Sequence, residues 1–199
     1  PTLGLLSPME FIPICERSGN VYELSQWVLK TACEQCKAYQ LLDGDMSISV
    51  NISGRVFNQP EMPSLLEKIC ETSNVLPSSI NLEITETTAM GKPEEAIDIL
   101  KQLTSKGFTI SIDDFGTGYS SFSYLTELPV NELKIDKSFL LSVNENTNKV
   151  IKSMIDLAHL LNLKVVAEGV ETKELLEMLN EMNCDFAQGF YIAKPLPIK

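Results

Sequence analysis

Apolar and polar residues alternate with a period of two in several short stretches of this chain. In one of them Phe108, Ile110 and Ile112 share one parity, and polar residues occupy the positions between them. Such alternation is typical of a β-strand, because successive side chains point to opposite faces. The pattern predicts strands at residues 46–53, 80–86, 109–114, 133–136 and 164–168, and a final strand is predicted at residues 186–192. Bounds are thus given for six strands, whereas our count of strand candidates is seven.

Helical patterns separate the predicted strands. The clearest lies at residues 146–162, where apolar side chains recur at the spacing of an amphipathic helix. Residues 1–13 are predicted to form a loop, because Gly4, Pro8 and Pro13 interrupt them. Further helices are predicted at residues 20–39, 62–71, 93–105, 121–128 and 172–183. This alternation of strands and helices predicts an α/β fold, a TIM-like (β/α)8 barrel.

The length of the chain bears on how much of such a barrel is present. A closed barrel has eight strands, one more than our count. We therefore expect truncation at both ends, with a first strand before Pro1 and a last helix after Pro197. With 199 residues, the chain is predicted to form one domain over residues 1–199, a fragment of a larger protein.

Polar side chains with chemical functions stand near the carboxyl ends of the predicted strands. In a (β/α)8 barrel these ends converge on one mouth, so residues far apart in sequence meet in space. The side chains placed in this way are Asn51, Glu83, Asp113, Asp114, Lys134 and Glu168.

Two adjacent carboxylates, Asp113 and Asp114, close the strand at residues 109–114. Neighbouring carboxylates repel each other, and such a pair usually needs a compensating cation. Gly116 and Gly118 follow, and glycine permits positive φ angles and a close approach of the backbone to a ligand. A strand end that is destabilised in this way indicates a functional site.

The side chains at these strand ends favour phosphoryl chemistry. Carboxylate and amide oxygens suit Mg²⁺ or Mn²⁺ better than zinc, and one Asp can bridge two ions about 3.5–4 Å apart. Lys134 would stabilise charge on a phosphate or hold the attacking water, Glu168 would accept a proton, and Gln188 would orient water or substrate. For any single residue, a purely structural ionic network is an equally open alternative.

The amino-acid composition limits which kinds of molecule the chain can bind. The formal net charge of −11 argues against broad binding to DNA, although bound divalent ions would still let an acidic pocket accept a phosphate. No apolar run reaches the roughly 18 residues that a membrane span needs. We expect a cytoplasmic domain with five reduced cysteines, and a membrane anchor elsewhere in the full-length protein is compatible with that.

Two further features invite a metal interpretation that we do not favour. Cys33 and Cys36 form a CxxC motif with no second pair and no nearby histidine, so we interpret them as helix positions that face neighbouring elements. His159 is the only histidine of the chain. It lies on the helix predicted at residues 146–162, away from the strand ends, and is interpreted as a surface or packing residue.

Several motifs together resemble the EAL domain family. The resemblance covers essentially the whole chain in order. It rests on residues 11–13 (Phe-Ile-Pro), 27–29 (Trp-Val-Leu), 49–53 (Ser-Val-Asn-Ile-Ser), 81–86 (Asn-Leu-Glu-Ile-Thr-Glu), 113–121 (Asp-Asp-Phe-Gly-Thr-Gly-Tyr-Ser-Ser), 133–136 (Leu-Lys-Ile-Asp), 167–172 (Ala-Glu-Gly-Val-Glu-Thr) and 188–191 (Gln-Gly-Phe-Tyr).

The resemblance implies a (β/α)8 barrel with one antiparallel strand and a bacterial phosphodiesterase that opens cyclic di-GMP to linear pGpG. It implies a homodimer, with sensory or GGDEF domains in the full-length protein. It also implies two ions, Mg²⁺ or Mn²⁺, and divides the site residues between two roles. The metal ligands would be Asn51, Glu83, Asp113, Asp114 and Glu171, and the catalytic residues Glu168, Lys134, Gln188 and Glu86.

The chain departs from the family pattern at three points. The name-giving Glu-Ala-Leu motif is not in the sequence, Asn131 stands where an Asp is usual, and Lys137 stands where an Arg is frequent. We expect the missing motif to lie on the upstream strand. Two alternatives to an enzyme stay open: a receptor that binds cyclic di-GMP without turnover, and a scaffold for protein contacts.

Overall fold

The structure, a computed structural model, describes residue 4 and residues 6–43, 46–118, 122–141 and 144–196. The chain divides into two compact units. The first comprises Pro1–Ile84 and Glu94–Thr109, and the second comprises Thr85–Pro93 and Ile110–Lys199. One domain over the whole chain stays a prediction.

The described residues form nine α-helices and six β-strands in alternating order. The helices are α1 (Pro8–Ser18), α2 (Val21–Asp43), α3 (Gly54–Phe57), α4 (Met62–Ser73), α5 (Glu86–Gly91), α6 (Pro93–Ser105), α7 (Phe122–Leu125), α8 (Glu145–Leu160) and α9 (Lys173–Glu181). The strands are β1 (Ile48–Asn51), β2 (Ile80–Thr85), β3 (Thr109–Phe115), β4 (Glu132–Ile135), β5 (Lys164–Glu168) and β6 (Phe186–Gln188).

Helix α1 corrects the loop predicted for residues 1–13. Pro8 occupies the first turn of the helix, where its missing N–H costs nothing. The backbone N–H of Ser7 donates to Glu10 Oε2 at 3.0 Å, which satisfies one polar group at the helix start. Pro8 therefore marks the start of a helix here, whereas the prediction took it as a sign of a loop.

In the first unit, β1 and β2 pair in parallel, with Asn51 opposite Glu83. Helix α2 buries Leu29, Cys33 and Cys36, and the Cys33 Sγ lies 3.9 Å from the Cys70 Sγ of α4. The two cysteines of the CxxC motif thus occupy helix positions that face neighbouring elements, as interpreted from the sequence. All five cysteines are free thiols.

In the second unit, β3, β4, β5 and β6 pair in parallel, each strand with the next in sequence. Helix α8 packs on β4 and β5 through its buried Ile151, Ile155 and Ala158. Leu133 and Ile135 are buried as well, and strand alternation places Glu132 and Lys134 on the opposite face of β4. The alternation read from the sequence therefore has its structural counterpart in this sheet.

The strand prediction needs two corrections. Only six strands occur among the described residues, so the count of seven is wrong by one. Strand β6 ends at Gln188, four residues earlier than predicted, and the backbone at Gly189 passes close to Val170. All strand pairings described within the two units are parallel. The antiparallel strand that the resemblance implies has no counterpart among them.

Among the described residues, no helix is both long and apolar enough to cross a membrane.

The start of α8 provides a test of the fold. Asn144 caps the helix, and its side-chain oxygen accepts hydrogen bonds from the backbone N–H groups of Asn146 at 3.0 Å and Thr147 at 3.1 Å. Replacing Asn144→Ala removes both acceptors and is expected to lower the free energy of unfolding by about 1 kcal/mol. Urea unfolding followed by circular dichroism measures the change. Asn144→Asp keeps an acceptor and should unfold like the wild type, and equal losses in both variants would contradict the capping role.

Candidate active site

A buried lysine lies at the centre of the polar cluster in the second unit. Lys134, on β4, is only 4% exposed. Its Nζ lies 2.6 Å from Glu168 Oε1 on β5 and 3.4 Å from Asp113 Oδ1 on β3. Strands β3, β4 and β5 run in parallel as neighbours. In the register Lys134 lies opposite Val166, so its long side chain reaches Glu168 two residues further along β5. Three residues predicted from the sequence are therefore in contact.

Charge pairing explains how Lys134 is tolerated at this depth. A buried ammonium group loses its hydration, and that loss is offset only by close partners of opposite charge. The side chains of Asp113 and Glu168 are 14% and 21% exposed. The cluster is thus mostly shielded from water, with one lysine between two carboxylates and a net negative charge.

The end of β3 departs from regular strand geometry at the two aspartates. The register with β4 shifts between Ile112 and Phe115, and Asp114 has a positive φ of 55°. Asp113 Oδ1 accepts a hydrogen bond from the Asp114 backbone N–H at 3.0 Å. A bulge of this kind redirects side chains and often lies beside an active site. The sequence indicated two carboxylates at a strand end but gave no sign of the bulge.

Several negative charges lie close together around Asp114. Burial raises the pKa of the Asp114 carboxyl, and the nearby charges of Asp113 and Asp136 raise it further, while Lys134 and Lys137 act in the opposite direction. Carboxylates under such mutual repulsion are typical of cation sites.

Glu86 organises the loop after β3. This side chain is 1% exposed, and its Oε2 accepts hydrogen bonds from the backbone N–H of Gly116 at 2.8 Å and of Gly118 at 3.4 Å. A Cβ atom on Gly118 would lie 2.9 Å from Glu86 Oε1, so the loop passes close to the carboxylate. Gly118 is needed for this close approach. Gly116 is needed for its φ of 93° and because a Cβ atom there would lie 2.4 Å from Met154 Cε.

A second group of predicted residues lines a cavity of about 260 Å³ at the ends of β5 and β6. Gln188 lies opposite Glu168 in the strand register, and both line this cavity together with Glu171. Lys137 and Phe190 line it as well, and neither was among the predicted site residues. Lys137 follows a strand end directly, which is the signal that would have found it.

The first unit holds the remaining two predicted residues. Asn51 and Glu83 are register partners on β1 and β2, and Glu83 is 6% exposed. The Glu83 backbone oxygen accepts a hydrogen bond from the Ile52 N–H at 2.9 Å, one residue beyond the end of β1. Two oxygen-bearing side chains thus lie side by side on adjacent parallel strands in this unit, Asn51 at the end of β1 and Glu83 two residues before the end of β2.

The chemistry of the donor set bears on a metal site. The proposed ligands offer only carboxylate and amide oxygens, which are the ligands that Mg²⁺ and Mn²⁺ prefer. The crowding around Asp114 also fits a cation. In the part of the chain that the structure describes, no three His, Cys, Asp or Glu side chains are grouped closely enough to hold a metal ion by themselves.

Comparison with known proteins identifies the family. The sequence profile of the EAL domain matches residues 1–195. The chain belongs to the EAL domain family. Such a match covers nearly the whole chain and confirms the resemblance found in its motifs.

Two curated relatives and one solved structure illustrate this EAL domain's similarity. MucR of Pseudomonas aeruginosa, a bifunctional diguanylate cyclase/cyclic di-GMP phosphodiesterase, is 40% identical over 202 residues, which cover 99% of this chain and 29% of MucR. The cyclic di-GMP phosphodiesterase NbdA of the same organism is 35% identical over 201 residues, which cover 100% of this chain and 26% of NbdA. The chain thus spans less than a third of either relative.

The solved structure is that of the PaMucR phosphodiesterase in a c-di-GMP complex. Its TM-score with this EAL domain is 0.94 at 38% identity, and the match covers 99% of this chain and 81% of that chain. This agreement confirms the fold class predicted from the sequence, the TIM-like barrel of EAL domains.

Glu86 allows a test of this site that does not need turnover. Replacing Glu86→Ala removes the acceptor of the Gly116 and Gly118 N–H groups, so the loop of this EAL domain should open more often. Amide exchange in a peptide covering residues 115–118, measured by mass spectrometry, should accelerate about 10–100-fold, since a hydrogen bond to a charged group contributes about 1.5–3 kcal/mol. Glu86→Gln retains an acceptor oxygen and should show a smaller effect. Unchanged exchange in Glu86→Ala would mean that other contacts hold the loop.

Proposed function

We propose that this EAL domain hydrolyses cyclic di-GMP to linear pGpG in bacterial second-messenger signalling. The observation that carries the proposal is the buried Lys134 between Asp113 and Glu168, at the ends of three adjacent strands. The family supports the substrate: MucR and NbdA bear the name of cyclic di-GMP phosphodiesterases, and the PaMucR phosphodiesterase was solved in a c-di-GMP complex.

In the proposed reaction a water oxygen attacks one phosphorus of the cyclic dinucleotide. The bond from that phosphorus to a ribose oxygen breaks, and this oxygen takes up a proton from solvent and leaves as a hydroxyl. Glu168 accepts the proton that the water loses. Lys134 holds the water and stabilises negative charge that develops on the phosphate. Gln188, beside Glu168 in the register, orients the water or the substrate. Glu86 acts at a distance, by fixing the loop that follows Asp114.

Divalent cations belong to this proposal. Two ions, Mg²⁺ or Mn²⁺, would be held by Asn51, Glu83, Asp113, Asp114 and Glu171. When bound, such ions lower the pKa of a coordinated water and offset charge on a phosphate. The support is the oxygen-only chemistry of these side chains and the carboxylate repulsion around Asp114.

The proposed partners follow from the relatives. MucR combines diguanylate cyclase and phosphodiesterase functions in its name, and this chain matches 29% of its length. We infer that the full-length protein carries sensory or GGDEF domains as well, and that the EAL domain forms a homodimer. The net charge of −11 leaves DNA outside the proposed partners.

Replacing Glu168→Gln in the natural full-length protein tests the chemistry. Glutamine retains the shape and a contact to Lys134 but cannot accept the proton, so kcat should fall by about 10²–10⁴. The Kd for cyclic di-GMP should change little, because the lost interaction forms mainly in the transition state. Chromatographic detection of pGpG measures kcat, and calorimetry with Ca²⁺ present measures Kd without turnover.

The matched control is Glu174→Gln, which makes the same change at an exposed position of α9 and should leave kcat and Kd as in the wild type. A Kd that weakens as steeply as kcat in Glu168→Gln would make Glu168 a binding residue. Tight binding by a wild-type protein that produces no pGpG would instead favour the receptor alternative.

Metal removal is the second test. Turnover of the natural protein should cease in excess EDTA, return with Mg²⁺ or Mn²⁺, and be inhibited by Ca²⁺, whose larger radius and looser coordination do not suit two closely spaced ions. The rate of pGpG formation is the measurement. Full turnover in the presence of EDTA would refute the metal part of the proposal and leave the roles of Lys134 and Glu168 to be tested separately.

A further inference from the structure

The shortest strand of the second unit is tied to its neighbour by side chains. Strand β6 has three residues, and its first ladder pair joins Phe186 to Val166. One residue earlier, the Val165 N–H donates to Asp185 Oδ2 at 2.9 Å, and the Val165 oxygen accepts from Cys184 Sγ at 3.6 Å. Side chains thus continue the strand pairing at the point where the backbone ladder stops.

His159 joins this arrangement from α8. Its Nε2 lies 2.8 Å from Asp185 Oδ2, the same oxygen that accepts the Val165 N–H. Burial acts to raise the pKa of the Asp185 carboxyl, but the hydrogen bonds from His159 and Val165 hold it below its usual value. One carboxylate oxygen therefore connects α8, β5 and the start of β6.

The other end of β6 is held by backbone groups. The Val170 N–H donates to the Gln188 oxygen at 3.0 Å, and the Tyr191 N–H donates to the Val170 oxygen at 3.0 Å. A Cβ atom on Gly189 would lie 2.1 Å from the Val170 oxygen, so only glycine permits this approach. Strand β6 is fixed at both ends, and Gln188 is its last residue.

We propose that His159 and Asp185 are positioning residues, which hold the amino end of β6 on β5 and so keep Gln188 beside Glu168. Among the described contacts, neither residue touches Lys134, Asp113 or Glu168. The pair therefore acts on the site through strand β6. The functional part of this inference rests on the proposed hydrolysis, in which Gln188 orients water or substrate. The structural part, that the pair sets the register of β6, does not depend on it.

The His159 and Asp185 side chains are themselves 37% and 32% exposed, and what distinguishes the pair from an ordinary surface ion pair is the additional bond to the backbone. Exposed pairs on a helix, such as Lys152 with Asp156 on α8, join two flexible side chains and change little when one is removed. The Asp185 carboxylate also accepts a backbone N–H, so its orientation determines where the strand starts. Loss of His159 frees that carboxylate to rotate away from Val165.

Hydrogen exchange tests the structural part in the natural full-length protein. In His159→Ala, peptides that cover residues 164–170 and 184–191 should exchange about 10-fold faster, while peptides from β3 keep their wild-type rates. His159→Gln should restore slow exchange, because the glutamine Nε2 can reach the position of the imidazole Nε2. Asp156→Asn, one turn earlier on α8, is the matched control and should leave every peptide unchanged.

Kinetics test the functional part with the same variants. His159→Ala should lower kcat for cyclic di-GMP by about 10–100-fold, the usual effect of losing a group that orients a site residue, with KM changed less than about twofold. His159→Gln should recover most of kcat. Asp185→Asn should also lower kcat, and combining it with His159→Ala should add little, since both changes break one interaction.

Each outcome supports or overturns the proposal. Unchanged exchange at residues 164–170 and 184–191 in His159→Ala overturns the structural part, and so does an acceleration that spreads equally over the whole domain. Two results overturn the functional part. One is a loss of kcat that His159→Gln does not recover, and the other is a KM in His159→Ala that changes by as large a factor as kcat. If the wild type has no turnover, the proposed hydrolysis fails with it, but locally faster exchange in His159→Ala would still establish the pair as the anchor of β6.

Discussion

The buried ammonium group of Lys134 constrains the second unit more than any other single group. It is 4% exposed and lies within 3.4 Å of Asp113 and 2.6 Å of Glu168, on the strands at either side. Removing either carboxylate would take a charged partner away from an ammonium group in a site where water is scarce. The ends of β3, β4 and β5 must therefore keep their relative positions, and the proposed chemistry depends on that alignment.

The elements around this cluster deviate from regular geometry where side chains must be redirected. The register of β3 shifts at its aspartates, and β6 ends after three residues, immediately before Gly189. Each deviation is supported from outside the strand: Glu86 binds the loop after β3, and His159 with Asp185 binds the start of β6. Irregular strand ends thus coexist with a regular, buried sheet interior.

The sequence was informative where a local pattern determines structure. Period-two alternation located β1 to β5, and residues 93–105 and 164–168 were predicted with the bounds that the structure has. Chemical type and strand-end position brought Asp113, Lys134 and Glu168 together correctly. The start of α1 at Pro8 and the bulge in β3 were not predicted, because the alternation of apolar and polar residues encodes neither feature. The His159–Asp185 pair was missed for the same reason: 26 residues separate its members.

The order of the strands has a consequence for how the chain acquires its structure during synthesis. In the second unit every strand pairs with the next one along the chain, so each contact closes a loop of only a few tens of residues. Closing loops of this length costs less entropy than pairing strands that lie far apart along the chain. A growing polypeptide emerging from the ribosome can therefore add one strand and its covering helix at a time. Lys134 would receive its second carboxylate only when residues 164–168 have been made, so in the nascent chain its ammonium group would pair with Asp113 alone until that point.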